Sequence, residues 1–205
     1  MKNKKDNYTI FPLFSVPLVT PQEKYPFNKR ELNYIKKLKK SKNAYNRVSI
    51  NNYVLKVPEF NSIKKYLQKW LDIYAYEFLK IKDIEFYITQ SWCNYNATYD
   101  KHHTHTHPNS LISGVFYIQG DHTPIVFTRG KSLLPFLVNH KSFDMYNART
   151  YWVNMEAGQL FLFPSTLIHS VKENKSKIKR ISLSFNTFAK GTFGELSDLD
   201  CLKLT

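Results

Sequence analysis

From residue 84 onward the chain is a succession of short β-prone runs, at 85–95, 111–119, 124–128, 150–153, 159–163 and 181–188, with turn-forming residues between them. Branched and aromatic side chains dominate these runs, and few helical periods interrupt them. Strands this short and numerous bury their apolar faces by packing sheet on sheet or by closing into a barrel, so an antiparallel sandwich or barrel is expected. An apolar content of 42%, with 15 Phe and 14 Tyr, supplies enough burial for a folded core and excludes a disordered chain. The 205 residues suit one domain spanning 1–205, with a helical support region at about 27–82 and a β core at about 84–190.

The first eighty residues read differently. Residues 10–19 are apolar and β-prone but carry Pro12 and Pro17, which suits an edge strand. Two helices follow, near 28–40 and near 61–79. The second places Ile63, Tyr66, Leu67, Trp70, Leu71, Tyr74 and Phe78 three and four residues apart, the spacing of a helix with one buried face, and Asn61 or Ser62 is a candidate cap. These helices are expected to pack on one outer face of the β core. Residues 130–148 show no period and read as an insertion or a lid over a site.

The formal charge of +14 favours contact with nucleic acid, an acidic protein or an anionic surface. Its basic residues fall in scattered runs, at 2–5, 36–40 and 172–180, a pattern that a solvated surface explains equally well, so a nucleic-acid partner is open but not favoured. Cys93 and Cys201 form neither a zinc-ribbon nor a disulfide pattern, which suits a reducing compartment. The charged first residues lead into no signal-type apolar region, and no stretch approaches the ~18 apolar residues of a membrane span. A soluble, cytoplasmic protein without a membrane partner is the expectation.

Five of the seven histidines are His102, His103, His105, His107 and His169. On a strand, residues two apart share a side, so His105 and His107 can offer both imidazoles to one metal ion while Thr104 and Thr106 face away. His103 and His105 have the same spacing and are the alternative register. His169, after the apolar run ending at Pro164, is the candidate third ligand. Arg180 stands eleven positions further on, at the head of a strand, where its fork suits a carboxylate; Ser182 shares its face. Asp100 and Asp121 flank the pair and are candidate acceptors for a ligand imidazole.

A His-x-Asp/Glu pair, a distal His and an Arg or Lys about ten residues later resembles the Fe(II)- and 2-oxoglutarate-dependent dioxygenases. Residues 11–17, 105–118 and 158–186 are similar, more closely, to a small branch of these oxygenases found in bacteria and phages. Pro108 and Ser113-Gly114 match that pattern only with the 105/107 register. The resemblance implies a mainly β chain with N-terminal helices, its double-stranded β-helix or jelly-roll core flanked by α-helices. It implies Fe(II) on His105, His107 and His169, with 2-oxoglutarate and O2 as co-substrates. Tyr117, Arg180 and Ser182 then hold one carboxylate of 2-oxoglutarate. Tyr95 matches the position of a second family tyrosine, and Asn94 competes for that role. The implied reaction hydroxylates an unknown small-molecule or macromolecular substrate and releases succinate and CO2.

One departure stands out. His107 occupies the place of the usual carboxylate ligand, which makes the site one unit more positive and should tighten an anion. The alternatives are a nucleic-acid-modifying dioxygenase, a non-catalytic metal-binding jelly roll, and a three-histidine oxygenase that needs no 2-oxoglutarate.

Overall fold

The computed structural model of the chain describes residues 9, 11–120, 122–131, 134–136 and 138–205. Helix α1, Lys29–Lys37, opens on a capping box in which the Asn28 side chain accepts the Glu31 N–H at 2.9 Å and Glu31 accepts the Asn28 N–H at 3.0 Å. It stops short of the expected residue 40 because Lys40–Lys42 turns into strand β1, paired with β2, Arg47–Ser49.

Helix α2, Asn61–Asp72, is entered from the 3-10 turn Pro58–Phe60. Its N-cap is Phe60, with no side-chain hydrogen bond, so neither Asn61 nor Ser62 serves as the cap. The helix runs on as a π-helical segment, Ile73–Phe78. Ile63, Leu67, Leu71 and Tyr74 are wholly buried and Tyr66 and Trp70 half-buried, so the aromatic stripe is core. Phe78 lies exposed, because the i→i+5 pattern of the last turns carries it off the stripe.

The remaining strands are β3 (Ile84–Asn96), β4 (His102–His105), β5 (Ile112–Gln119), β6 (Ile125–Thr128), β7 (Thr150–Val153), β8 (Leu160–Pro164), β9 (His169–Val171), β10 (Arg180–Phe193) and β11 (Leu202–Leu204). The larger sheet runs β1-β2-β3-β10-β5-β8 with β11 on β10, the smaller β4-β9-β6-β7, and their neighbouring strands pair antiparallel. The architecture is mainly β, a jelly-roll core flanked by helices. All six expected β runs are strands. Residues 11–19 are not; only Val19 joins a sheet, exchanging two hydrogen bonds with Leu162. Pro12 and Pro17 lack the N–H a ladder needs, and Phe14 at φ 58° turns the chain between them. Ile10 lies outside the described residues. Residues 130–148 link β6 to β7 without a helix or strand among those described.

The pleat of the larger sheet sorts its side chains into two sets. Cys93 and Tyr95 of β3, Ile112, Phe116 and Ile118 of β5, Leu160 and Leu162 of β8, and Ile181, Leu183 and Phe185 of β10 pack with the helices in one apolar cluster. On the other face Val115, Tyr117, Phe161 and Phe163 join Ile125 and Phe127 of the smaller sheet in a second cluster. The interleaved residues Trp92, Asn94, Asn96, Arg180, Ser182 and Ser184 line a cleft beside that second cluster. Thus a single strand, β10, supplies core on one side and polar lining on the other.

Gly114 of β5 stands opposite Phe185 of β10, and a Cβ there would sit 2.1 Å from the Phe185 ring. Phe185 has no exposed surface and so no room to yield. Gly114→Ala is therefore expected to destabilise the protein by about 1–3 kcal/mol, the usual cost of overpacking. Urea denaturation checks this: the midpoint should fall in Gly114→Ala and recover in part in Gly114→Ala/Phe185→Leu. Unchanged midpoints would show that the ring has somewhere to go.

Candidate metal and co-substrate site

The histidines meet on the smaller sheet. His105 ends β4 and His169 begins β9, and the two are direct cross-strand partners with ring centroids 4.3 Å apart. His107 lies two residues beyond the end of β4, so the strand alternation expected for the pair does not place it. Its backbone N–H instead donates to the Ser165 carbonyl at 3.0 Å. This brings its ring to 5.1 Å from His105 and 5.0 Å from His169. Thr104 and Thr106 are exposed. One ligand nitrogen from each of His105, His107 and His169 lies within 4.8 Å of the others. His102, His103 and His105 meet the same limit, helped by a register shift between His102 and His105, but His103 is exposed and His169 is left out.

Each imidazole of the inner three is held at Nδ1. The His105 ring lies 2.9 Å from the His103 carbonyl, and His169 lies 2.9 Å from the Leu167 carbonyl. His107 Nδ1 lies 2.7 Å from Oδ1 of Asn186. A carbonyl oxygen only accepts, so all three Nδ1 atoms carry the proton and all three Nε2 lone pairs are free for a metal ion. Burial first, then the neighbouring histidines, holds the pKa of His105 down to about 4 and that of His169 to about 3, against a bonded carbonyl that raises each; burial also lowers His107. The three rings are neutral at pH 7, the form that binds a metal ion.

Beside them lies Arg180, 3% exposed, whose Nη1 has no hydrogen-bond partner. Among the described residues no carboxylate pairs with it. Burial lowers its pKa, with Tyr117 and Asp100 offsetting part of the effect. Ser182 and Tyr117 are register partners on β10 and β5, both nearly buried and both lining the cleft. Burial pushes the Tyr117 hydroxyl up to about 12, so it keeps its proton and can donate. Histidines, Arg180, Ser182 and Tyr117 thus border one cleft of about 480 Å³, its open mouth included.

The segment carrying this cleft matches a known family. Residues 90–186 fit the family model described as "Putative 2OG-Fe(II) oxygenase". Over this segment the chain is similar to the 2OG-Fe(II) oxygenase family. No curated protein matches the chain in sequence. Among solved structures, an oxidoreductase of the 2OG-Fe(II) oxygenase family from Burkholderia pseudomallei superposes at TM-score 0.57 and 13% identity, covering 83% of each chain. HygX from Streptomyces hygroscopicus, with nickel, 2-oxoglutarate and hygromycin B bound, gives 0.57 at 9% identity over 84% of this chain and 82% of its own. A Pseudomonas putida prolyl-4-hydroxylase gives 0.52 at 13%, over 84% and 92%. At such identities these likenesses speak to the fold alone, a jelly roll.

The donor set fits that family's cofactors: three free imidazole nitrogens suit Fe(II), and a buried guanidinium that no carboxylate pairs with among the described residues suits a carboxylate. Two expectations are corrected. Tyr95 points the other way, into the helix-side cluster, where its hydroxyl donates to the Ile35 carbonyl at 2.5 Å; its neighbour Asn94 lines the cleft. Asp100 orients no ligand, since its carboxylate accepts the Ala97 N–H at 2.8 Å in a turn; Asp121 lies outside the described residues. Asn186, Asn96 and Ser184 were missed. They continue the period-two polar set that begins at Arg180 or face it on β3, and that periodicity is their sequence signal.

The depressed histidines carry a pH signature. Below the ordinary value of 6.5 the unfolded chain takes up protons that folded His105 and His169 refuse until about pH 4 and 3. The metal-free protein should therefore lose stability as pH falls from about 6.5 toward 4. Denaturation midpoints at pH 7.5 and 5.0 test this, with a smaller difference expected in the His105→Ala/His169→Ala protein. Equal losses in both proteins would place the effect elsewhere.

Proposed function

We propose that this chain binds Fe(II) through His105, His107 and His169, holds 2-oxoglutarate with Arg180, Ser182 and Tyr117, and hydroxylates a substrate with release of succinate and CO2. The observation that carries this reading is the buried Arg180, its Nη1 without a hydrogen-bond partner and no carboxylate paired with it among the described residues, in the same cleft as three neutral imidazoles. When bound, the iron supplies dioxygen activation coupled to oxidative decarboxylation of 2-oxoglutarate. The chain's own residues do the rest. The Nδ1 hydrogen bonds keep the Nε2 lone pairs turned together. Arg180 offers a planar fork to a carboxylate, and the protonated Tyr117 and Ser182 hydroxyls add neutral donors. Val115, Ile125 and Phe163 border the cleft with apolar surface that excludes water from the charged groups.

With His107 in place of a carboxylate, the ligand set brings no negative charge. Nothing on it repels a dianionic co-substrate, and among the described residues no carboxylate pairs with Arg180. Arg180→Ala should then raise the KM for 2-oxoglutarate at least about 30-fold, the equivalent of the ~2 kcal/mol at the lower end for truncating one partner of a buried charged pair. His169→Ala should abolish Fe(II)-dependent succinate formation. Turnover that survives Arg180→Ala at an unchanged KM would instead favour a three-histidine oxygenase without 2-oxoglutarate, and failure of both variants to alter activity would reject the site.

A further inference from the structure

We infer that Asn186 is the positioning residue that makes His107 a metal ligand, standing in for the order that strand β4 gives its neighbours; this rests on the three-histidine reading above. His105 and His169 are set by the β4–β9 ladder, and their Nδ1 protons go to backbone carbonyls. His107 has neither advantage. It sits past the end of β4, and the acceptor at its Nδ1 is a side chain, Asn186 Oδ1 at 2.7 Å.

Asn186 is itself built in. It lies on the cleft face of β10, 6% exposed, at the point where the pairing of β10 with β3 shifts register between Phe185 and Thr187. Such irregularities re-aim a side chain. Its carbonyl accepts the Thr89 hydroxyl at 3.1 Å, and its Nδ2 donates to Gln90 Oε1 at 3.4 Å. With Nδ2 committed to Gln90, Oδ1 is the atom left to face His107. The amide therefore fixes both the ring's angle and its tautomer, with Nδ1–H inward and Nε2 toward the other two histidines. Being neutral, it does so without placing a negative charge beside the ligand set.

Co(II) is the probe. With the purified protein, each ligating imidazole should give one solvent-exchangeable, paramagnetically shifted Nδ1–H resonance, three in all. Asn186→Leu keeps the volume and removes the acceptor; Co(II) affinity should drop roughly 10- to 100-fold, and one of the three resonances should vanish through exchange. Asn186→Asp restores an acceptor and should recover the affinity to within about threefold and the third resonance. In a His107→Ala background Asn186→Leu should have no further effect, whereas a general folding defect would act in both backgrounds. Wild-type affinity with three resonances in Asn186→Leu would overturn the inference, as would equal losses in the Leu and Asp variants. A wild-type protein that shows no shifted imidazole protons would overturn the ligand reading beneath it.

Discussion

Strand β10 has to satisfy two solvents at once. Its odd-numbered residues Ile181, Leu183 and Phe185 are packed against the helices, while Arg180, Ser182, Ser184 and Asn186 stand on the opposite face. The pleat makes these sets inseparable, because slipping the register by one residue would drive a guanidinium into the apolar core and expose two aliphatic side chains and a phenylalanine. Long pairings with β3 on one side and β5 on the other hold that register over most of the strand. The cleft is thus positioned by the same burial that stabilises the fold, and Gly114 is the small residue that lets Phe185 complete it.

The electrostatics of the cleft follow from what is missing around two groups. A buried guanidinium without a carboxylate is costly unless an anion answers it. One buried and two half-buried imidazoles within reach of one another stay neutral because burial penalises protonating each of them, and for His105 and His169 the neighbouring histidines add to that penalty. Together they describe a site prepared for a cation held by neutral nitrogens and an anion held by Arg180. Replacing the carboxylate ligand by His107 shifts this balance toward the anion and leaves the ring needing another orienting group.

Much of this architecture is legible in the sequence, and the rest depends on physics beyond periodicity. The six strands with branched and aromatic runs were legible, since apolar content marks them directly. Strands β1, β2 and β11 were not, because Lys-Ser-Lys, Arg-Val-Ser and Leu-Lys-Leu are three-residue strands, too short to show a period. The convergence of His105, His107 and His169 was anticipated, but for a reason that holds only in part: cross-strand pairing joins His105 to His169, and a loop hydrogen bond brings in His107. Tyr95 was misjudged because its face depends on strand parity, and its neighbour Cys93 belongs to the helix-side core. Asn186 was within reach of that same parity argument, since residues 180, 182, 184 and 186 form a polar series inside an apolar strand.

In the proposed function the cleft's defining property is that it takes a metal ion and a keto acid together. Anaerobic titration of metal-free protein with Fe(II) and then 2-oxoglutarate, followed by visible absorption, reads this directly. A weak charge-transfer band that appears only when both are present, at one equivalent of each, is the predicted result. Absence of the band, or a band that forms equally well without His169, would contradict it.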